Sequence, residues 1–312
     1  MKRFPPFRAA AALFAAVLLA AATAMAQAWP RPPRPADDEF SVMTYNLWRF
    51  SYEDRDRDGQ KDNFKPEDQI AALVAVVSNA RPDVLAVQEI GDGDSFEILR
   101  RRLGEAGLDM PHTEYFILPH STVGLGLLSR FPIVGRHSIT NETHTLGGEE
   151  LPVQRGFLVV DIQVNPKYRF RLFNAHLKSK LFHPLGQTEM RRNEARLLNK
   201  HVRRAIDRSK NLNVVVVGDM NDRITSSPLR ELIGRPRYLH DLRPRDFVGD
   251  IWTHLWEFNE EYSRIDYIFV NDAMRPEVVA DKSYVVRDPQ AALASDHRPV
   301  IAVFKASDLK PE

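Results

Sequence analysis

Short apolar runs ending in acids, amides or imidazoles recur along this chain, and amphipathic helical patterns separate several of them. Residues 40–45 read as a strand, and residues 67–79 as a helix entered through Pro66. Residues 84–88 form a continuous apolar run suited to a buried strand, and residues 95–106 a second helix. Strand-like segments then follow one another at 114–118, 124–128, 133–139, 157–164 and 170–175. From Gln187 to about Arg208 the apolar residues Met190, Ala195, Leu198, Val202 and Ile206 fall on one helical face. Residues 214–217 and 265–270 predict central strands, and residues 300–304 close the core. Runs of strands flanked by helices predict an α/β fold, two sheets packed together with helices outside, in one domain over residues 39–306.

The N-terminus breaks this pattern. Lys2, Arg3 and Arg8 precede an Ala/Leu/Val run that ends in Ala24-Met25-Ala26, the layout of an export signal over residues 1–26. An uncleaved anchor is the competing reading, because the run approaches the roughly 17 residues that can span a bilayer. The cleaved signal is preferred, which places the mature chain in a secreted or periplasmic setting. Residues 27–38, rich in proline, read as an extended linker. No second apolar run reaches spanning length, so the mature chain is expected to make no stable membrane insertion and to be a monomer.

Removing the signal takes three of the 43 basic residues and leaves 40 against 42 acidic ones. That balance advertises no polyanion binding through net charge, although Arg100-Arg101-Arg102, Arg191-Arg192 and Arg203-Arg204 remain as local clusters. The first and third read as solvated helix faces. With no cysteine, the chain has neither disulfides nor thiolate chemistry, and any metal must be held by oxygen and imidazole.

The chemistry sits at strand ends. Glu89 closes one apolar run, His176 another, Asp219 a third, and Asp296-His297 precede the last. Open α/β sheets gather such ends along one edge, where carboxylates, an amide and imidazoles can hold a hard cation and move a proton. Each residue also has a plain reading: a solvated loop acid for Glu89, a turn-forming amide for Asn46, an Asx turn for Asp219 and Asn221, a structural histidine for His176. In extended backbone Asp219 and Asn221, two apart, would point the same way toward one phosphate. By the same rule Lys178 is placed beside His176. Asp266 lies inside an apolar strand and needs a partner.

Together, Thr44-Tyr45-Asn46, Val87-Gln88-Glu89, Asn174-Ala175-His176, Gly218-Asp219-Met220-Asn221, Arg264-Ile265-Asp266-Tyr267 and Ser295-Asp296-His297 resemble, in order, the motifs of the endonuclease/exonuclease/phosphatase superfamily. The resemblance runs from about Phe40 to Phe304 and implies a DNase I-like four-layer α/β sandwich with two mixed β-sheets. It implies a metal-dependent phosphoric ester hydrolase with Mg²⁺ or Mn²⁺ held by Glu89, Asn46 and Asp296. It makes His176, Asp219, Asn221, Asp266 and His297 catalytic, with His176 meeting the scissile phosphate as imidazolium. His297 is paired with Asp266, and either Asp219 or His297 takes the proton of water. Asn174, Lys178 and Arg264 fall to the substrate. The segment His176-Leu177-Lys178-Ser179 resembles extracellular nucleases of the superfamily and favours a nucleic acid substrate.

Asp54, Asp56 and Asp58, followed by Gly59, also match the opening of a Ca²⁺-binding loop, but position twelve is Lys65 where such loops carry glutamate. The competing reading is a charged insertion whose arginines neutralise its acids. The expected function is therefore an exported phosphodiesterase acting on nucleic acid. The alternatives are a phospholipid or sphingomyelin phosphodiesterase using Trp252 and Trp256 at an interface, a small-molecule phosphatase, and a silent binding scaffold on the same fold.

Overall fold

A computed structural model describes residues 32–309, so the expected export segment 1–26 and the start of the linker lie outside the described residues. In chain order the elements begin with β1 (Glu39–Phe50), α1 (Glu67–Ala80), β2 (Val84–Ile90) and α2 (Gly93–Glu105). β3 (His112–Phe116), β4 (Gly124–Ser129) and β5 (Ile133–Arg136) follow, then a hairpin of β6 (Thr143–Leu146) and β7 (Glu149–Pro152). Next come β8 (Phe157–Asn165), β9 (Tyr168–His176), α3 (Gln187–Arg208), β10 (Asn213–Asp219), α4 (Ser227–Ile233) and β11 (His240–Asp241). β12 (His254–Trp256), β13 (Glu261–Ser263), β14 (Asp266–Val270), β15 (Tyr284–Val285), α5 (Ala291–Ala294) and β16 (Val300–Lys305) complete the order.

Two mixed six-stranded sheets result, β15-β16-β1-β2-β4-β3 and β11-β14-β10-β9-β8-β5. Period-two alternation splits each strand between layers. Phe40, Val42, Val84, Ala86, Leu172, Val215, Val217 and Ile268 meet between the sheets. The opposite face of the first sheet is covered by Leu73, Val76, Phe96 and Leu99 of α1 and α2. Ala195, Leu198 and Val202 of α3 and Leu229 of α4 cover the second. Burial of these apolar faces at about 25 cal/mol per Å² is the main force holding the four layers together. No described helix is long and apolar enough to cross a membrane.

Departures from the expected elements have local causes. α2 starts at Gly93 rather than Ser95 because the Asp92 carboxylate accepts the Ser95 backbone N–H at 2.9 Å. The strand expected over 133–139 stops at Arg136 after a register break between Ile133 and Gly135, and Ile139 keeps only an isolated bridge to Phe157. α4 was not foreseen, although Ser226 as its cap and Pro228 in its first turn are ordinary start signals.

At the base of β1, Glu39 accepts from Lys282 Nζ at 2.6 Å, Lys305 Nζ at 2.9 Å and the Ala36 N–H at 2.9 Å. Burial opposes its charge, but these donors win and hold the carboxyl down at about 2. A carboxyl lowered on folding adds stability above its unfolded value of 4.5, and that contribution fades as pH falls toward 2. Glu39→Gln is therefore expected to melt several degrees below wild type at pH 7 and to show a much smaller gap at pH 2.5, read by circular dichroism. An equal gap at both pH values would rule out this ion network as the source.

Candidate active site

Strand register alone lines up three of the expected site residues. β9 and β10 are parallel with His176 opposite Asp219, and β10 and β14 are antiparallel with Asp219 opposite Asp266. Directly opposed residues share a face, and here it is the face turned toward the first sheet. Gly218 makes the close approach possible: its φ is +131°, and a Cβ there would overlap the Ala175 carbonyl oxygen.

The other sheet contributes Asn46 and Glu89. Asn46 spends its oxygen on the Trp48 N–H at 3.0 Å and its amide nitrogen on Glu89 Oε1 at 3.3 Å and Asp219 Oδ2 at 3.0 Å. One amide thus ties a carboxylate from each sheet together. Simple alternation would send Glu89 to the helix-covered face, because Ala86 and Gln88 occupy the inner one. A break in register between Gln88 and Ile90, with Glu89 at φ +59°, turns its carboxylate back to the cleft. The facing turn is equally unusual, with Trp48 at +47° and Arg49 at +52°, and the Arg49 N–H donates to Glu89 Oε2 at 3.0 Å. Left-handed backbone at three such residues costs of order 1 kcal/mol or more each and is retained at sites that need it.

His297 Nδ1 meets Asp266 Oδ2 at 2.8 Å, which supplies the partner Asp266 required. Its main chain is set by the Ser295 hydroxyl, which accepts the His297 N–H at 3.0 Å and donates to the Asn46 carbonyl at 2.8 Å. His297 Nε2 lies 3.9 Å from both Asp219 Oδ2 and Asp296 Oδ1. His176 Nε2 stands 3.4 Å from Asp219 Oδ2 and 3.9 Å from Glu89 Oε1. The cleft therefore brings together Asn46, Glu89, His176, Asp219, Asn221, Asp266, Asp296 and His297.

Two local expectations are corrected by this geometry. Asn221 does not reach Asp219 along an extended strand: it has φ +53°, its N–H donates to Asp219 Oδ1 at 2.8 Å, and its amide donates to the Leu177 carbonyl at 3.0 Å. Lys178 does not face the cleft beside His176, since its ammonium donates to the Ser179 and Leu181 carbonyls at 3.3 and 3.2 Å. For His176, burial, then the charge of Arg155, pushes the pKa well below the ordinary range despite the two carboxylates nearby. Of the remaining substrate candidates, Asn174 is fully enclosed between the sheets, donating to the Val87 and Gly126 carbonyls at 3.0 and 3.1 Å and accepting from Gln88 at 2.7 Å. Arg264 forms a two-pronged pair with Asp241 and stacks on Tyr267.

Electrostatically the cleft is short of positive charge. Burial pushes the Asp219 carboxyl up to about 7, and the Asp266 charge adds to it. Burial opposes charge on His297, yet Asp266, Asp219 and Asp296 outweigh it and raise its pKa to about 10. Four carboxyl groups around the His297 imidazole form a donor set that fits a hard divalent cation, with Glu89 and Asp296 as its partly exposed members. Ligand atoms of Asp219, Asp266 and His297 lie within 4.8 Å of one another, as do those of His254, Asp296 and His297.

His254 was not anticipated. Its Nε2 lies 3.7 Å from Asp296 Oδ2 and its ring 4.6 Å from that of His297. The segment carrying it is a spacer: the Thr253 hydroxyl accepts the N–H groups of Ile265 and Asp266 at 3.1 Å, and the Leu255 N–H donates to the Asp296 carbonyl at 3.0 Å. Arg155, whose Nη1 donates to the Leu177 carbonyl at 3.2 Å, was missed as well. Neither residue ends an apolar run, so no strand-end signal marks it.

Apart from the cleft, Asp54, Asp56 and Asp58 bring ligand atoms within 4.8 Å of one another. Asp54 and Asp58 accept the Gly59 and Gln60 N–H groups at 3.1 and 2.8 Å. Lys65, at the twelfth position, is buried with its ammonium on the Trp48 carbonyl at 3.1 Å and over the Trp48 ring.

The chain is 24% identical over 296 residues to a Drosophila melanogaster protein described as a putative neutral sphingomyelinase, and spans 62% of that protein's length and 88% of its own. The human Nocturnin catalytic domain with bound sulfate superposes with a TM-score of 0.64 at 19% identity, covering 89% of this chain and 100% of that one. Sphingomyelinase C from Streptomyces griseocarneus superposes at 0.57 and 16% identity, covering 85% and 99%. Residues 43–297 match the profile described as Endonuclease/Exonuclease/phosphatase family. The chain therefore belongs to the endonuclease/exonuclease/phosphatase family, with its DNase I-like fold.

Proposed function

We propose that the protein is an exported phosphodiesterase that uses Mg²⁺ or Mn²⁺ and cleaves nucleic acid. The convergence of Glu89, Asn46, Asp219, His176 and the His297–Asp266 pair in one cleft carries this reading. Glu89, with Asp296 opposite, would hold the cation, and Asn46 aligns the Glu89 and Asp219 carboxylates rather than offering an oxygen of its own. A cation bound there neutralises phosphate charge as a Lewis acid. Asp219, fixed by the Asn221 N–H, orients the attacking water. His176 donates an N–H to a non-bridging oxygen, where charge grows in the transition state. His297, oriented by Asp266, handles the proton. Trp48 and Arg49, both exposed on the turn bonded to Glu89, support nucleic acid through the pairing of a stacking surface with a phosphate contact. The basic-apolar-small order of residues 1–26 supports export.

A second reading, a phospholipid headgroup, is favoured by Trp256, Phe258 and Tyr262, exposed at 50%, 89% and 57% along the β12–β13 hairpin beside Asp296, and by the sphingomyelinase relative. One panel separates the two: plasmid DNA, RNA, sphingomyelin and inositol phosphates, each with Mg²⁺ and with EDTA. EDTA is expected to abolish turnover, Mg²⁺ or Mn²⁺ to restore it, and the nucleic acids to be cleaved fastest. Turnover undiminished in EDTA would sink the cation-dependent reading, and faster cleavage of sphingomyelin would move the substrate to lipid.

A further inference from the structure

The Arg203-Arg204 cluster has a use that a solvated helix face does not explain. Beneath the C-terminal half of α3, on the outer face of the second sheet, lies a cavity of about 200 Å³. Five basic side chains line it: His137, Arg171, His201, Arg204 and Arg208. Three of them are paired with acids outside the lining. Arg171 grips Asp161 through both carboxylate oxygens at 2.6 and 2.7 Å, with His137 Nε2 at 3.0 Å from the same group, and His201 meets Glu142 at 2.7 Å. Among the described residues, Arg204 and Arg208 have neither a hydrogen-bond nor an ion-pair partner, although they lie one turn apart at the same opening. Three guanidinium groups thus line the cavity without a carboxylate among its lining residues, and Asp161 next to it is already held by Arg171 and His137. The floor is apolar, formed by Val159, Phe173 and neighbouring residues, so it offers no competing acceptor.

We propose that this cavity is a phosphate-binding exosite. Guanidinium groups suit phosphate because their planar N–H pairs match two of its oxygens. Arg171 belongs to β9, five residues before His176, so the exosite stands about 17 Å along the strand from the catalytic end at roughly 3.3 Å per residue. The occupant is either free phosphate or a phosphate of the substrate chain, and the second source rests on the nucleic acid reading above.

The test uses the full chain with Arg204→Ala/Arg208→Ala, both at exposed positions of α3, and Arg203→Ala as a control. Arg203 carries the same charge but stacks on Tyr238 at 4.7 Å, away from the lining. Inorganic phosphate titrated by calorimetry in EDTA is expected to bind the double variant about tenfold more weakly than wild type, with the control within about twofold. Hydrolysis of bis-p-nitrophenyl phosphate should be unchanged in all three proteins. If nucleic acid is the source, KM for single-stranded DNA rises about fivefold and the salt slope of binding falls by about 1.4 in the double variant. Weaker phosphate binding with an unchanged DNA KM assigns the exosite to free phosphate. Equal phosphate affinity in wild type and double variant, or an equal loss in the control, overturns the proposal. Failure of all proteins to hydrolyse the nitrophenyl ester would instead count against the catalytic reading and leave the phosphate titration decisive for the exosite.

Discussion

Glu89→Gln is expected to lower hydrolysis of bis-p-nitrophenyl phosphate in Mg²⁺ by about 10³-fold, or about 4 kcal/mol of transition-state stabilisation. Glutamine keeps the volume and can still accept the Arg49 N–H, so the turn at residues 48–49 and the kinked end of β2 have no reason to move. What disappears is the negative charge, and with it the hard ligand and its share of cation binding. The melting temperature should stay within about 3 °C of wild type, because Glu89 is only partly enclosed. Raising Mg²⁺ should recover part of the rate if the loss is in cation affinity. Activity within threefold of wild type would remove Glu89 from the cation site.

The second large effect concerns the buried pair. Asp266→Asn preserves shape but exchanges the acceptor facing His297 Nδ1 for an amide, and in hydrolytic triads the corresponding change costs on the order of 10⁴ in rate. A loss of 10³ to 10⁴ is expected here, with His297→Ala similar. Because the two residues act as one unit, the double variant should be little worse than either single one. Multiplicative losses in that cycle would show that Asp266 and His297 act separately. Circular dichroism is the necessary companion measurement, since both residues are enclosed.

Much of this was legible in advance because the signals were local. Four consecutive valines before Gly218 make a strand wherever they are placed, and Asp219 is then its end. The amphipathic face of α3 was read with the bounds it has, because period 3.6 over six turns leaves little ambiguity. The pairing of Asp266 with His297 followed from a resemblance and from the cost of an isolated acid in an apolar strand. Other features depended on contacts between distant residues. His254 enters the site only because it bridges to His297 while the neighbouring Thr253 hydroxyl accepts the Asp266 N–H. Lys178 and Asn174 had the right positions in sequence and the wrong directions in space, since a turn and an inter-sheet polar layer claimed their side chains. The lowering of the His176 pKa could not be read from its neighbours in sequence, because burial is its main cause.

Composition and periodicity were enough to establish an α/β sandwich, the strand ends that carry acids and imidazoles, and the absence of thiol chemistry. Those properties belong to single residues and to patterns a few residues long. The cleft is a property of the packed sheets. Alternation along β2 would point Glu89 away from His176, and a left-handed kink reverses it. An amide from β1 then joins it to Asp219 across the gap between the layers. Such a kink is affordable only where the surrounding packing overdetermines the backbone, and that packing exists only after both sheets have closed on each other.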